Sequence, residues 1–592
     1  MCGIFGYKNK KKKNLDFHNF LKHRGPDYEK KICYKDFTLG HNLLAIRDNV
    51  QNSIQPVETL NDRYIFCFNG QIYNTDYLKK KFSIDKSIIL DTKIITKVIE
   101  KVNLDFITYI KGMFAIALID KKLNKLFLYR DQSGQKPIYY STYGNTFIFS
   151  SEIEPILKDM EKVSFNEKVL PEILDFGYTI NSNTSFKNIF KVLPGQLLSY
   201  DLQNHKITKK FFSQNKKNDF NMIEDEINNN INQTTQTQNK IALNISGGLD
   251  SNVILYETLK YKKNLKLFVC KYDCKEDIYN LDFEIAQKVA KEFNLDLNVT
   301  EINQKDYLEN FLKSKSILSE SNRNISDPIY YLNYKHQNQH GIRSVITGDG
   351  GDELFVGYSR YFIKNIFRFF FSILSKYKHK RDFKTIINIY KQNYSNYTLN
   401  KKINKFVINN NLINTNDHII KLIENFENYT NNFYNFSSKK DYRLYLMLLD
   451  NFLWQSNEAF LRNDNLGMYF SIETRSPFLE YDLKYSYYKN LPKDIFDKVE
   501  NKYYLRSAYK MKLNKLVISN KKKLGWTVPR EWLKSNKLRN IVLENLPQKN
   551  DENINWKGLI NHLHQNNNFM LDKSLYGLIF LGIHLKEKNN VQ

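Results

Sequence analysis

The segment SGGLDS at residues 246–251 constrains the fold of this chain more than any other stretch, because it lies between the apolar run IALNI and the amphipathic NVILYETL. A glycine-rich turn that ends a strand and opens a helix aims backbone N–H groups at an anion, so it reads as a cradle for pyrophosphate. Asp250 stands where it can coordinate the magnesium that travels with nucleotide phosphates. The strand-then-helix pattern repeats in LKLFVCKYD followed by DFEIAQKVAKEFN, and again in RSVITGDGGDELFVGY. Such alternation predicts an α/β domain with a parallel sheet and sites at the carboxyl ends of its strands. The pattern GxxxxGK[ST] is missing, which argues against γ-phosphate transfer. A chance glycine turn is the plain alternative, and the acidic TGDGGDELFVGY speaks against it.

Upstream the texture is different. YIFCFNGQIYN, GMFAIALID, KLFLYRD, PIYYS and FIFSSE alternate apolar and polar residues between turns, which predicts antiparallel strands in a layered α+β domain. At 592 residues the chain exceeds what one core supports. The expected division is a first domain over 1–205, a polar linker over 206–221, and a second domain over 222–592 with a helical extension near 360–450.

The formal charge of +26 raises the question of nucleic acid, but the lysines are spread among Asn, Ile and Tyr along the chain, so no nucleic-acid partner is expected. Five cysteines without paired spacing fit a reducing, cytoplasmic setting. No apolar run approaches the roughly 20 residues of a membrane span, so no membrane is expected either.

Cys2 follows the initiator methionine, whose removal leaves a free α-amine beside the thiol. An amine of pKa near ~8 can take the thiol proton at neutral pH, which makes Cys2 a candidate nucleophile. A second-position cysteine is incidental in most chains. Here it precedes HRGPD (23–27), FNGQIYN (68–74), LDTKII (90–95), GMFAIALID (112–120) and YRDQSGQKPIYY (129–140).

In this order the motifs resemble the class II glutaminase domain of the asparagine synthetase family, an N-terminal-nucleophile fold. The resemblance implies that Asn69 and Gly70 form an oxyanion hole, and that Asp91, with Gln71 beside it, holds the glutamine α-amino group. Downstream, 246–251 resembles the PP-loop of the adenine nucleotide α-hydrolase-like enzymes, which split ATP between its α and β phosphates. Ser246, Gly247, Gly248, Leu249, Asp250 and Ser251, with Leu243 and Gly348, would then contact ATP or pyrophosphate. TGDGGDELFVGY differs from the family's TGDGGDELFGGY at Val356; it implies Asp352 as the second Mg²⁺ carboxylate and Asp349 as a residue near the acyl-adenylate. LRNDNLGMYFSIETRSPFLEYDL (461–483), NKYYLRSAY and KKKLGWTVPREWL resemble the remaining family blocks, and Lys523 in the last would stabilise adenylation.

Two departures stand out. GHNLLAI puts Leu43 where the family has the arginine that grips the glutamine α-carboxylate, and Gln71 replaces a glutamate. Arg47 lies four residues on, roughly 13 Å away at strand rise, which makes it too distant to substitute. The activity implied is asparagine synthesis from glutamine, aspartate and MgATP. Amidation of another carboxylate such as a uronic acid sugar, and a non-catalytic nucleotide-binding homologue, stay open as alternatives; so does a homodimer.

Overall fold

The computed structural model describes residues 2–8, 16–143, 146–215, 222–237, 239–358, 361, 386–387, 405–408, 411, 416–434, 442–492, 494–496, 498, 500–520 and 525–589. Two antiparallel six-stranded sheets carry the first domain. One runs in the order Ile189–Lys191, Tyr139–Ser141, Ile148–Ser150, Gly3–Lys8, Phe37–Leu43, Tyr28–Tyr34. The other runs Ile207–Phe211, Gln196–Asp201, Lys125–Arg130, Gly112–Asp120, Tyr64–Ile72, Val57–Glu58. Alternation explains the stacking: Ile65, Cys67, Ala115 and Ala117 from the second sheet meet Ile4, Leu39 and Phe149 from the first in one apolar layer. Their neighbours Phe66, Phe68, Phe114 and Ile116 point the other way, onto the helix Asp91–Val102. The outer face of the first sheet, through Phe5, Tyr139 and Ile148, shares a core with the C-terminal helix residues Tyr576, Ile579 and Phe580.

The second domain is built on a parallel five-stranded sheet in the order Leu297–Ile302, Lys266–Tyr272, Ile241–Asn244, Ser344–Ile346, Glu473–Arg475. The chain winds outward in one direction from Ile241–Asn244 and then in the other from Ser344–Ile346. A crevice therefore opens beyond the carboxyl ends of these two adjacent strands, where 246–251 and 347–352 lie. The fold is thus the expected α+β layered domain followed by an α/β domain.

The linker is shorter than the expected 206–221. Ile207–Phe211 pairs antiparallel with Gln196–Asp201 as an edge strand of the second sheet. An edge strand buries one face at most, so its polar composition is what hides it from a pattern reading. Residues 216–221 lie outside the described residues. Of the helical extension expected near 360–450, the described parts include the helices Asp417–Phe433 and Tyr442–Leu449; much of the rest lies outside the described residues. Among the described residues no helix is long and apolar enough to cross a membrane.

Candidate active sites

Cys2 directly precedes the first strand, Gly3–Lys8, and is 6% exposed, packed against Leu43 and Ala45. Its backbone N–H donates to Asn69 Oδ1 at 3.1 Å. That bond fixes the Asn69 amide so that Nδ2 faces away from it, and Nδ2 is buried without a hydrogen-bond partner. A buried, unpaired donor costs about 1–3 kcal/mol, and an oxyanion forming on a substrate bound at Cys2 would satisfy it. Gly70 follows with φ +147°, and a Cβ there would stand 2.0 Å from Met113 O. No side chain fits where the two central strands approach so closely. Burial pushes the Cys2 thiol up from its ordinary value, while a backbone hydrogen bond from Leu44 pulls it down. A reaction that starts at the Cys2 thiolate should therefore speed up with pH from neutrality upward, as the thiolate fraction grows; a rate that fell over that range would show another group to be limiting.

Asp91, at the start of its helix, accepts from Ile72 N at 3.2 Å and Thr92 N at 3.0 Å. Gln71 donates through Nε2 to Gln236 O at 3.2 Å, and its Oε1 is buried without a partner. Both line the Cys2 pocket, as Leu43 does. The expectation that Arg47 is too far away is corrected here. The strand ends at Leu43, the chain turns, and Arg47 lines the same pocket with Nη1 at 3.8 Å from Asp91 Oδ2. Strand rise does not apply beyond the strand.

Sequence reasoning also gave no pocket role to Glu473 and Arg475, in ETRSPFL of the second domain. Both line the Cys2 pocket. Arg475 Nε donates to Glu473 Oε1 at 2.5 Å and Nη1 to Thr234 O at 2.7 Å and Gln236 O at 3.0 Å. HRGPD turns out to face the second domain as well. Arg24 is fully buried, donating through Nη1 to Glu152 Oε1 at 2.8 Å and through Nε to Cys2 O at 3.3 Å, with Nη2 2.8 Å from Asp464 Oδ2. Asp27 Oδ1 accepts from Arg343 Nη2 at 3.0 Å. Removing one partner of so buried a network leaves an uncompensated charge, so Arg24→Met should destabilise the protein by about 3–5 kcal/mol. A urea-unfolding midpoint equal to wild type would contradict this.

His41, in the strand beside Cys2, is fully buried, and burial lowers its pKa from 6.5 to about 3. Below pH 6.5 the unfolded chain takes a proton that the folded chain refuses until about pH 3, so stability falls as pH falls through that window. Between pH 6.5 and pH 5 the loss from this group should be about 2 kcal/mol, and His41→Asn should remove that slope in urea unfolding.

The second pocket has a volume of about 380 Å³ and is lined by Ser246, Gly248, Leu249, Asp250, Ser251, Gly348, Asp349 and Asp352, among others. Gly247 lies in the same turn with its N–H directed to Asp282 Oδ1 at 3.1 Å. Leu243 is fully buried in the central strand and is not among the lining residues. The helix Leu249–Thr258 starts here with no side-chain cap, which leaves its first N–H groups for an anion. Asp349 Oδ2 accepts from Thr347 Oγ1 at 2.7 Å and Asn463 Nδ2 at 2.8 Å. The two loops meet at Gly351, where a Cβ would stand 2.5 Å from Asp250 Cγ. Val356, in the position of a family glycine, has φ +60°. A β-branched residue there stores backbone strain of about 1–3 kcal/mol.

Lys502, to which the sequence reading assigned no role, lies between the two expected metal carboxylates. Its Nζ contacts Asp250 Oδ2 and stands 2.8 Å from Asp352 Oδ1. Its only sequence signal is its place in NKYYLRSAY. Two carboxylates converging on one cation suit Mg²⁺, which takes one or two protein carboxylates and completes its shell with phosphates and water. Among the described residues no group of three or more His, Cys, Asp or Glu forms a metal cluster. Lys523 lies outside the described residues.

The two pockets share a wall. Glu473 and Arg475 line the Cys2 pocket, their strand pairs with Ser344–Ile346, and Thr347, which lines the second pocket, donates its N–H to Arg475 O at 2.9 Å.

Comparison with known proteins agrees with this geometry. Residues 1–212 match the glutamine amidotransferase domain model and residues 222–573 the asparagine synthase model. Asparagine synthetase [glutamine-hydrolyzing] 1 of Bacillus subtilis is 24% identical over 92% of this chain and 90% of its own length. Putative asparagine synthetase [glutamine-hydrolyzing] 2 of Methanocaldococcus jannaschii is 28% identical over 66% of this chain and 83% of its own. Amidase chyE of Penicillium rubens is 24% identical over 57% of this chain and 54% of its own. With an N-terminal glutamine amidotransferase domain joined to a synthetase domain that uses ATP as substrate, this chain belongs to the asparagine synthase family.

Proposed function

We propose that the chain is a glutamine-hydrolysing asparagine synthetase. The Cys2 thiolate attacks the glutamine amide carbon, the oxyanion is taken up by Asn69 and Gly70, and ammonia leaves as the thioester forms. Water then releases glutamate. In the second pocket an aspartate β-carboxylate oxygen attacks the α-phosphorus of ATP and pyrophosphate departs. Ammonia attacks the acyl carbon, giving asparagine and AMP, with Asp349 near the reacting carbonyl as a candidate for proton transfer. Mg²⁺ held by Asp250 and Asp352 would neutralise charge on the departing pyrophosphate.

The observation that supports this reading is that the two pockets adjoin through the strand Glu473–Arg475 and the Thr347–Arg475 hydrogen bond, an adjacency suited to passing ammonia from one to the other. Arg462 supports aspartate as acceptor. It is buried in the wall of the second pocket, its guanidinium 3.9 Å from the Tyr330 ring centroid and its Nε without a hydrogen-bond partner. Asp327, Glu458 and Asp349 already face this cation, and its unpartnered Nε leaves one donor for an anionic group of the acceptor besides the carboxylate being activated, which aspartate has in its α-carboxylate. The test is pyrophosphate release from ATP with ammonia as nitrogen source. Aspartate should support it, whereas glutamate and uronic acids should not; release only with a uronic acid would transfer the enzyme to glycan amidation.

A further inference from the structure

We infer that Arg47 has taken over the glutamine α-carboxylate, so that this pocket reads its amino acid through a cation four residues beyond Leu43; the inference rests on the reading of the Cys2 pocket as the glutamine site. The pocket holds two cations, Arg47 and Arg475, against two carboxylates, Asp91 and Glu473. Glu473 is matched to Arg475, whose Nε and Nη1 are committed to Glu473, Thr234 and Gln236 and whose side chain is fully buried. Arg47 differs. Nη1 donates to Ile72 O at 3.1 Å, and Nη2 donates to the neutral side-chain amide of Gln236 at 2.6 Å, a bond that a carboxylate would displace.

Arg47 Nη1 and Asp91 Oδ2 stand 3.8 Å apart, close to the separation of the two charges of an amino acid, so a zwitterion can lie antiparallel across the pair with its carboxylate on the guanidinium and its ammonium on Asp91. The unpartnered Gln71 Oε1 in the same wall supplies a second acceptor for that ammonium, consistent with a glutamine replacing a glutamate there. Leu43, packed on Cys2 and Ala45, then fills with apolar volume the place a second cation would crowd. The cavity is about 40 Å³, too small for glutamine as it stands. Seating the substrate requires the Gln236 side chain to leave Arg47, so glutamine entry displaces a residue only a few positions ahead of the strand that leads into 246–251.

The test uses the full chain and its ammonia release from L-glutamine, which leaves glutamate, and from L-glutaminamide, whose α-carboxylate is an uncharged amide and which leaves glutamic acid α-amide. Wild type should strongly prefer L-glutamine. Arg47→Ala should raise the KM for glutamine on the order of 30- to 1000-fold, while that for glutaminamide changes little, so the preference collapses. Leu43→Arg in the Arg47→Ala background should restore part of the preference by returning a cation to the other wall. Thermal unfolding of each variant reports whether the fold persists, and Arg47→Lys, which keeps the charge without the fork, should fall between wild type and alanine. An unchanged KM with preference intact in folded Arg47→Ala would overturn the assignment alone. No glutamate release from wild type would overturn the reading of the Cys2 pocket, and this assignment with it.

Discussion

Cys2→Ala should abolish glutamine-driven amide formation and leave ammonia-driven formation at wild-type rates. The expected effect is total because, among the described residues, Cys2 is the one thiol that lines this pocket; Cys67 is fully buried in the layer between the sheets, and burial holds its pKa well above the ordinary value. The second pocket should be insensitive to the change, since its lining residues all come from the other domain. Measuring asparagine formed from glutamine and from ammonium chloride in parallel checks both halves. Equal loss with the two nitrogen sources would mean that Cys2 supports the wall the pockets share rather than the hydrolysis of glutamine.

Asp352→Asn should reduce synthesis with either nitrogen source by at least about 100-fold, the scale on which removal of one charge-stabilising group acts on a developing anion. Asp352 is 5% exposed and faces Asp250 across the Lys502 ammonium. Its loss leaves Lys502 with a single carboxylate partner and removes half of the candidate metal set. Aspartate-dependent AMP formation is the direct readout, and glutaminase activity measured without ATP serves as the control for folding. AMP formation near wild type would remove Asp352 from the adenylation site. Lys502→Met should also depress AMP formation, and comparison of the two variants separates the loss of the ammonium from the loss of its partner.

Much of this was legible in the sequence, for a local reason. Strand alternation, the turn at 246–251 and the motif order are set by residues within a few positions of one another, and these predict the antiparallel layers, the parallel sheet and the two loops at the crevice. What escaped were contacts that depend on where a strand stops or which domain a side chain faces. Nothing in GHNLLAIRD marks the end of the strand at Leu43, so strand rise alone places Arg47 too far from the pocket. Ile207–Phe211 has the polar texture of a linker because an edge strand need not alternate. Glu473 and Arg475 sit in a block of the synthetase domain, and only the parallel pairing of their strand with Ser344–Ile346 turns them toward Cys2. Arg24, in a glutaminase motif, reaches Asp464 across 440 positions of chain (464 − 24). Lys502 has no local pattern that announces two aspartates from distant loops.

The central claim is that glutamine nitrogen reaches an adenylated acceptor through the wall between the two pockets. It is tested most directly by supplying amide-¹⁵N glutamine, aspartate and MgATP together with unlabelled ammonium and following the amide of the product by mass spectrometry. With ammonium below the level at which it competes at the second pocket, asparagine should carry ¹⁵N undiluted, in step with one AMP and one pyrophosphate per amide formed. Product whose label matches the bulk ammonium pool, or ATP cleaved to ADP and phosphate, would contradict the account.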